Sequence, residues 1–190
     1  MFAYCNNNPV RFKDSQGRII ELADEATEEE REQYQKAIDY LKTSETGAAL
    51  IDRLESNDEV FKIIFVYDNN TEYNIENKTI SFDIYSGMGF SEGKGVQSPA
   101  LGLLHEMGHA AQDLDGILFK VNPEGLFGKL IKLLFESHNT LTYEIPAAIE
   151  LGEPSRENYR EPTFPVRMRN STDRVLGSTR TRKNQIDLWM

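Results

Sequence analysis

Ala100-Leu101-Gly102-Leu103-Leu104-His105-Glu106-Met107-Gly108-His109 is the stretch whose reading decides the fold. Residues i and i+4 of an α-helix lie one above the other on the same face. His105 and His109 can therefore offer two imidazoles to one metal ion. Glu106 stands beside that face, where a carboxylate can take a proton from water activated by the metal. The pattern His-Glu-x-x-His is the zinc-peptidase signature. The flanks predict a helix: Ser98 suits the N-cap and Pro99 the first helical position, while Asp115-Gly116 supplies a stop with Gly116 at C′. Two of the three histidines of the chain lie in this motif, among Leu101, Leu103, Leu104, Ala110 and Ala111. Titratable groups in such apolar surroundings need a partner, and a metal would supply one. Gly108 and Ala110-Ala111 keep the helix slim enough for close packing against a neighbour.

A chain of 190 residues predicts one domain with a tail. A net charge of −10 argues against a nucleic-acid binder that works by neutralising phosphates. The charge is uneven, because residues 161–190 carry six Lys/Arg against three acids; a solvated tail or packing strip accounts for that. Cys5 is the only cysteine, so no internal disulfide can form and a thiolate-held zinc is not expected. No apolar run is long enough to cross a membrane. Residues 1–8 lack the basic and apolar regions of a signal peptide, so export would need a carrier outside this sequence.

The periodicity predicts an α+β fold, a small antiparallel or mixed sheet packed on helices that include the HExxH helix, and the motif's resemblance to zinc peptidases implies a zincin-like metallopeptidase fold. Thr27 and Glu30 form a capping box ahead of Tyr34, Ala37, Ile38 and Leu41. A second short helix carries Ala49, Leu50, Ile51 and Leu54 and ends at Ser56-Asn57. Strands follow over 60–67, 72–75 and 79–85, the last with Ile80, Phe82 and Ile84 on one face. In zincin-type peptidases the strand before the HExxH helix lines the cleft, and an extended peptide adds to its edge; Tyr73 to Tyr85 is the candidate region. The glycine-rich run from Ser86 to Gly95 lacks Walker spacing and reads as a mobile flap. Asn122-Pro123 can open a further helix whose Leu126, Phe127, Leu130, Ile131, Leu133, Leu134 and Phe135 predict a core element.

A catalytic zinc usually has three protein ligands and one open position. Asp113, Asp115, Glu124, Glu136, His138, Glu144 and Glu150 are available. The longer HExxHxxGxxH motif is absent, because Gln112 stands where it needs Gly and Asp115 where it needs His. A Glu on a later helix is the common alternative. Glu144 fits, with Ala147 and Ala148 allowing close helix approach, and is preferred over Glu150 and His138. Its other reading is an acid in the first turn of a helix.

Two resemblances add context. Met1-Phe-Ala-Tyr-Cys-Asn-Asn-Asn-Pro-Val, followed by Asp14 and Gly17, resembles the closing segment of the Rhs/YD-repeat core, the β-shell that encases polymorphic toxins. HExxH followed by Ala110, Gly116, a Glu-bearing helix near Glu144, then Glu157-Asn158-Tyr159-Arg160 and Arg167, resembles the NleD-like effector zinc metallopeptidases. Together they imply a division into a junction remnant (1–17), a peptidase domain (18–170) and a tail (171–190). They also imply a Zn²⁺-dependent toxin carried into its target cell as part of a larger exported protein. The implied partners are a protein or peptide substrate, an encapsulating Rhs core and a cognate immunity protein. On this reading His105, His109 and Glu144 hold the metal, Glu106 is the general base, and Tyr159 or Arg160 steadies the oxyanion. The rival expectation is an inactive zincin-fold module that binds a partner protein without cutting it.

Overall fold

The first three helices each begin where the sequence supplies a side-chain oxygen. Thr27 caps α1 (Glu28–Leu41), with Glu30 returning the bond in a full capping box. Ser44 caps α2 (Glu45–Glu55) through Gly47 N–H. Ser98 caps α3 (Pro99–Leu114) through Leu101 N–H, with Pro99 in the first turn. At the other end of α3, Gly116 adopts φ +64. Its N–H bonds Asp113 O, and Ile117 N–H bonds Gln112 O, the paired bonds of a Schellman stop. The computed structural model describes residues 20–117, 125–157 and 159–176.

The fold is α+β. One sheet contains β1 (Ile20–Leu22), β2 (Phe61–Phe65), β3 (Glu72–Asn74) and β4 (Thr79–Phe82) in the order β1-β2-β4-β3. β1, β2 and β4 are parallel, and β3 returns antiparallel along β4 as an edge strand, with Tyr73 opposite Ile80. Ile80, Phe82 and Ile84 are buried as the alternation predicts. They pack with Leu41, Leu50, Ile51, Leu54, Phe61, Ile63 and the α3 residues Leu101, Leu103, Leu104 and Met107 in one core. Each such side chain contributes roughly 1.5–3 kcal/mol by leaving water. The strand ends at Phe82, three residues before the expected end. The cause is Asp83, which is fully buried and accepts the N–H groups of Asn69 and Tyr85, both at 3.0 Å, turning the chain.

The expected mobile flap is instead a paired hairpin. β5 (Ser86–Phe90) and β6 (Gly95–Gln97) lie between β7 (Thr163–Arg167) and β8 (Val175–Leu176) in a second, antiparallel sheet. The glycines serve packing: a Cβ on Gly89 would stand 2.5 Å from the Phe164 ring. The chain is also ordered beyond the expected boundary at 170. Ser171 is fully buried, its carbonyl accepts Ala100 N–H at 2.8 Å, and β8 extends the sheet to Leu176. The proposed junction remnant and residues 177–190 lie outside the described residues. Among the described residues no helix is long and apolar enough to cross a membrane.

α4 (Leu126–Asn139) corrects a further expectation. Of its residues only Gly128 and Asn139 are buried, while Leu126, Phe127, Leu130 and Leu134 are exposed. It is not a core helix but a helix docked on α3 by a narrow face. The Asn122-Pro123 start falls outside the described residues, and Gly125 precedes the first turn with no side-chain cap.

Ser98 ties the HExxH helix to the rest of the fold. Its hydroxyl accepts Leu101 N–H at 3.2 Å and donates to the buried Glu153 at 2.7 Å. Ser98→Ala should therefore cost about 1–2 kcal/mol. A urea titration should show a lower midpoint at unchanged slope; an unchanged midpoint would contradict the cap.

Candidate metal centre

His105 and His109 stand one turn apart on α3, both buried, their rings 4.9 Å apart and nearly perpendicular. The residue that faces both of them is Glu136, on α4. Its Oε2 is 3.3 Å from His105 Nε2 and 3.2 Å from His109 Nε2. One ligand atom from each of the three lies within 4.8 Å of the others, a group that could hold a metal ion.

Glu144, the expected third ligand, sits on the far side of His105. Its Oε2 is 2.8 Å from Nδ1, and its Oε1 accepts from Arg156 Nε at 2.6 Å. Among the described residues it is therefore Glu136, not Glu144, that completes the group able to hold a metal ion. Glu144 becomes the carboxylate that holds Nδ1–H and turns Nε2 toward the site. The other candidates are engaged elsewhere. Glu150 is exposed and binds Thr46. Asp113 accepts from Tyr73 OH at 2.6 Å, and Asp115 pairs with Arg53. His138 is exposed, with Nδ1 3.0 Å from Gln112 Nε2. Glu124 lies outside the described residues.

Glu136 and Glu144, eight residues apart, both reach His105 because the helix between them is not a regular α-helix. α4 runs without a break through a π-helical turn (Thr140–Glu144) into α5 (Ile145–Leu151), with Ile145 N–H bonded to Thr140 O. Eight α-helical residues advance about 800°, leaving Glu144 about 80° away from Glu136. A π turn takes in one extra residue, so the effective advance is about 700°, within about 20° of two full turns. Pro146 supplies the cause: it has no N–H, and its ring crowds the carbonyl four residues back, breaking the α ladder there.

α4 approaches α3 closely because Gly108 has no side chain. Asn139 Nδ2 donates to His105 O at 2.7 Å, and a Cβ on Gly108 would stand 1.8 Å from Asn139 Oδ1.

The electrostatics follow from this geometry. Burial alone would lower the pKa of His105, but bonds to Glu136 and Glu144 outweigh it and push it up to about 10. For Glu136 the opposing burial is likewise overcome by both histidines, which hold its carboxyl far below the usual range. Burial would raise the Glu144 carboxyl, yet His105 and Arg156 keep it low. Glu106 goes the other way: burial drives its pKa up against the lowering influence of the two histidines and of Tyr73 N–H, which it accepts at 2.8 Å.

The group opens into a cleft of about 850 Å³. One wall is the β3 edge from Asn69 to Glu76; the others include Met88, Phe135, Arg156, Tyr159 and Phe164. Tyr159 therefore stands at the site as expected, its phenol pushed up first by burial and then by the Glu136 charge. Arg160 does not: it is exposed and outside the cleft lining. Arg156 takes its place, buried, with its guanidinium 5.5 Å over the Tyr159 ring. Arg167 lies elsewhere, stacked on Tyr85 and paired with Asp83.

Comparison with family models, curated proteins and solved structures found no match.

Glu136 was among the seven donors available in the sequence but was not the preferred one, and Gln112 and Arg156 were not singled out as functional. A signal existed for the first, since Glu136 is the only acid between Leu126 and Asn139. Nothing in the sequence marks Arg156 over Arg160.

Two outcomes follow. At pH 7 His105 of the metal-free protein carries a proton, because its raised pKa lies above that pH, and a metal must displace it. Calorimetry in buffers of different protonation enthalpy should show about one proton released per metal bound, with affinity falling on acidification. Uptake without proton release would contradict the protonated resting state. Second, Glu144→Gln should weaken zinc binding about 10–100-fold, as for other residues that orient a ligand, and Glu136→Ala by more than that. The reverse order would return the ligand role to Glu144.

Proposed function

We propose that this protein is a zinc endopeptidase of the zincin type. The observation that carries the reading is the placement of Glu106. It follows the first histidine of the three-donor group and lines the same open cleft, held to the edge strand by Tyr73 N–H. Two imidazoles and a carboxylate form the donor set of a catalytic zinc with one position left open. When bound there, the metal supplies Lewis acidity at that open position.

The chain's own groups account for the rest. Glu106, its pKa raised by burial, takes a proton from the attacking water and returns it to the leaving amine. The Tyr159 phenol stays protonated and can donate to the developing oxyanion. Arg156 holds Glu144 in place and stacks under that ring. β3 is the outer strand of its sheet, and its free side borders the cleft, so an extended peptide can add there by main-chain hydrogen bonds. The substrate class is accordingly protein or peptide. The two sequence resemblances extend the proposal to a toxin carried by an Rhs core, delivered into a target cell and neutralised by a cognate immunity protein.

A second reading has one observation in its favour. Leu126, Phe127, Leu130 and Leu134 leave an apolar row on α4 open to solvent, as in a module that grips a partner without cutting it. Glu106→Gln separates the two. The variant should keep one equivalent of zinc and lose cleavage about 10²–10⁴-fold, read by mass spectrometry of target-cell lysate treated with each protein. Equal cleavage by both would remove Glu106 from the mechanism, and no cleavage by the wild type at full zinc loading would favour the binding module.

A further inference from the structure

Gln112 occupies the place where a longer zinc motif would turn the chain with glycine, and it is fully buried beside His109. Its side chain makes three contacts. Oε1 is 2.8 Å from His109 Nδ1, and Nε2 is 3.0 Å from Phe135 O and 3.0 Å from His138 Nδ1. A backbone carbonyl only accepts, so the amide nitrogen must face Phe135 and the amide oxygen must face His109. An oxygen there requires a proton on Nδ1. The lone pair of neutral His109 is then on Nε2, the atom 3.2 Å from Glu136. Phe135 is the residue immediately before Glu136, so the same amide also fixes the α4 backbone at the third donor.

We propose that Gln112 is a positioning residue that sets the ring tautomer of His109 and, through Phe135 O, the distance from His109 to Glu136. The inference rests on the zinc-site reading above, but half of it can be tested without metal. The two halves of the side chain act separately: the oxygen selects the tautomer, and the nitrogen ties α3 to α4. His138, the third histidine of the chain, accepts the second amide proton and so completes the amide's bonds.

The test compares wild type, Gln112→Met and Gln112→Glu. The first readout is two-dimensional ¹H–¹⁵N NMR of the imidazoles in metal-free protein at alkaline pH; with three histidines the ring signals can be assigned. Wild type should show His109 protonated on Nδ1. Gln112→Met removes that acceptor and should shift His109 to the Nε2–H form, which can donate to Glu136. Gln112→Glu keeps an acceptor oxygen and should retain Nδ1–H. The second readout is zinc affinity by competition with a chromophoric chelator, where Gln112→Met should bind about 10–100-fold more weakly than wild type. The Nδ1–H form and wild-type zinc affinity in Gln112→Met would overturn the proposal. Should that variant fail to fold, an Nε2–H form in Gln112→Glu would overturn it equally. A wild type that takes up no zinc would instead defeat the proposed function, while the tautomer result still decides the role of Gln112.

Discussion

Three electron-pair donors face one another at the centre of this protein: Nε2 of His105, Nε2 of His109 and the Glu136 carboxylate. Donors in that arrangement repel unless a proton or a metal ion lies among them. Neither ring can turn away to relieve the repulsion, because Glu144 holds Nδ1 of His105 and Gln112 holds Nδ1 of His109. The cation requirement is therefore built by the fold. Without metal, a proton on His105 meets it, which is why bonds to two carboxylates lift that histidine so far against the pull of burial.

The surrounding architecture is what this convergence demands. One continuous helix must bring Glu136 to the front of the histidines and Glu144 to the back of one of them. The π turn at Thr140–Glu144 makes that possible by resetting the helical phase between the two acids. The same helix must lie close to α3, and Gly108 leaves room for Asn139 to bond the His105 carbonyl. Gly108→Ala would force both apart, an overpacking change that usually costs about 1–3 kcal/mol. Glu106 faces the opposite wall, where it is tied to the β3 edge. The HExxH helix is thus clamped between a strand that borders the cleft and a helix that completes the donor set.

Legibility in the sequence followed the range of the interactions. The caps at Thr27 and Ser98 and the stop at Gly116 are local bonds within a few residues, so the helix ends could be read directly. The His105–His109 pair was legible for the same reason. Glu136 was not, because an apolar helix reads as core until its partners are known, and α4 buries a narrow face only. Glu144, expected as a metal ligand, instead meets Nδ1 of His105, and the phase shift from a π turn that puts it there has no simple sequence pattern. Arg156 and Arg160 are four residues apart, but the described residues around them form no helix, so periodicity could not choose between them. The glycine-rich run looked mobile because glycine permits motion, whereas here it permits the close approach of Phe164 to β5.

The proposed chemistry needs both halves of this arrangement: a donor set with an open position, and a base whose pKa is raised by burial beside it. The charge of −10 and the open β3 edge fit a protein that handles polypeptide more readily than nucleic acid. The measurement that bears most directly on the account is zinc K-edge X-ray absorption on protein loaded with one equivalent of zinc. Two imidazole nitrogens and oxygen donors at about 2.0–2.2 Å, with no sulfur, are expected. A spectrum with fewer than two imidazoles, or failure to retain stoichiometric zinc, would contradict it.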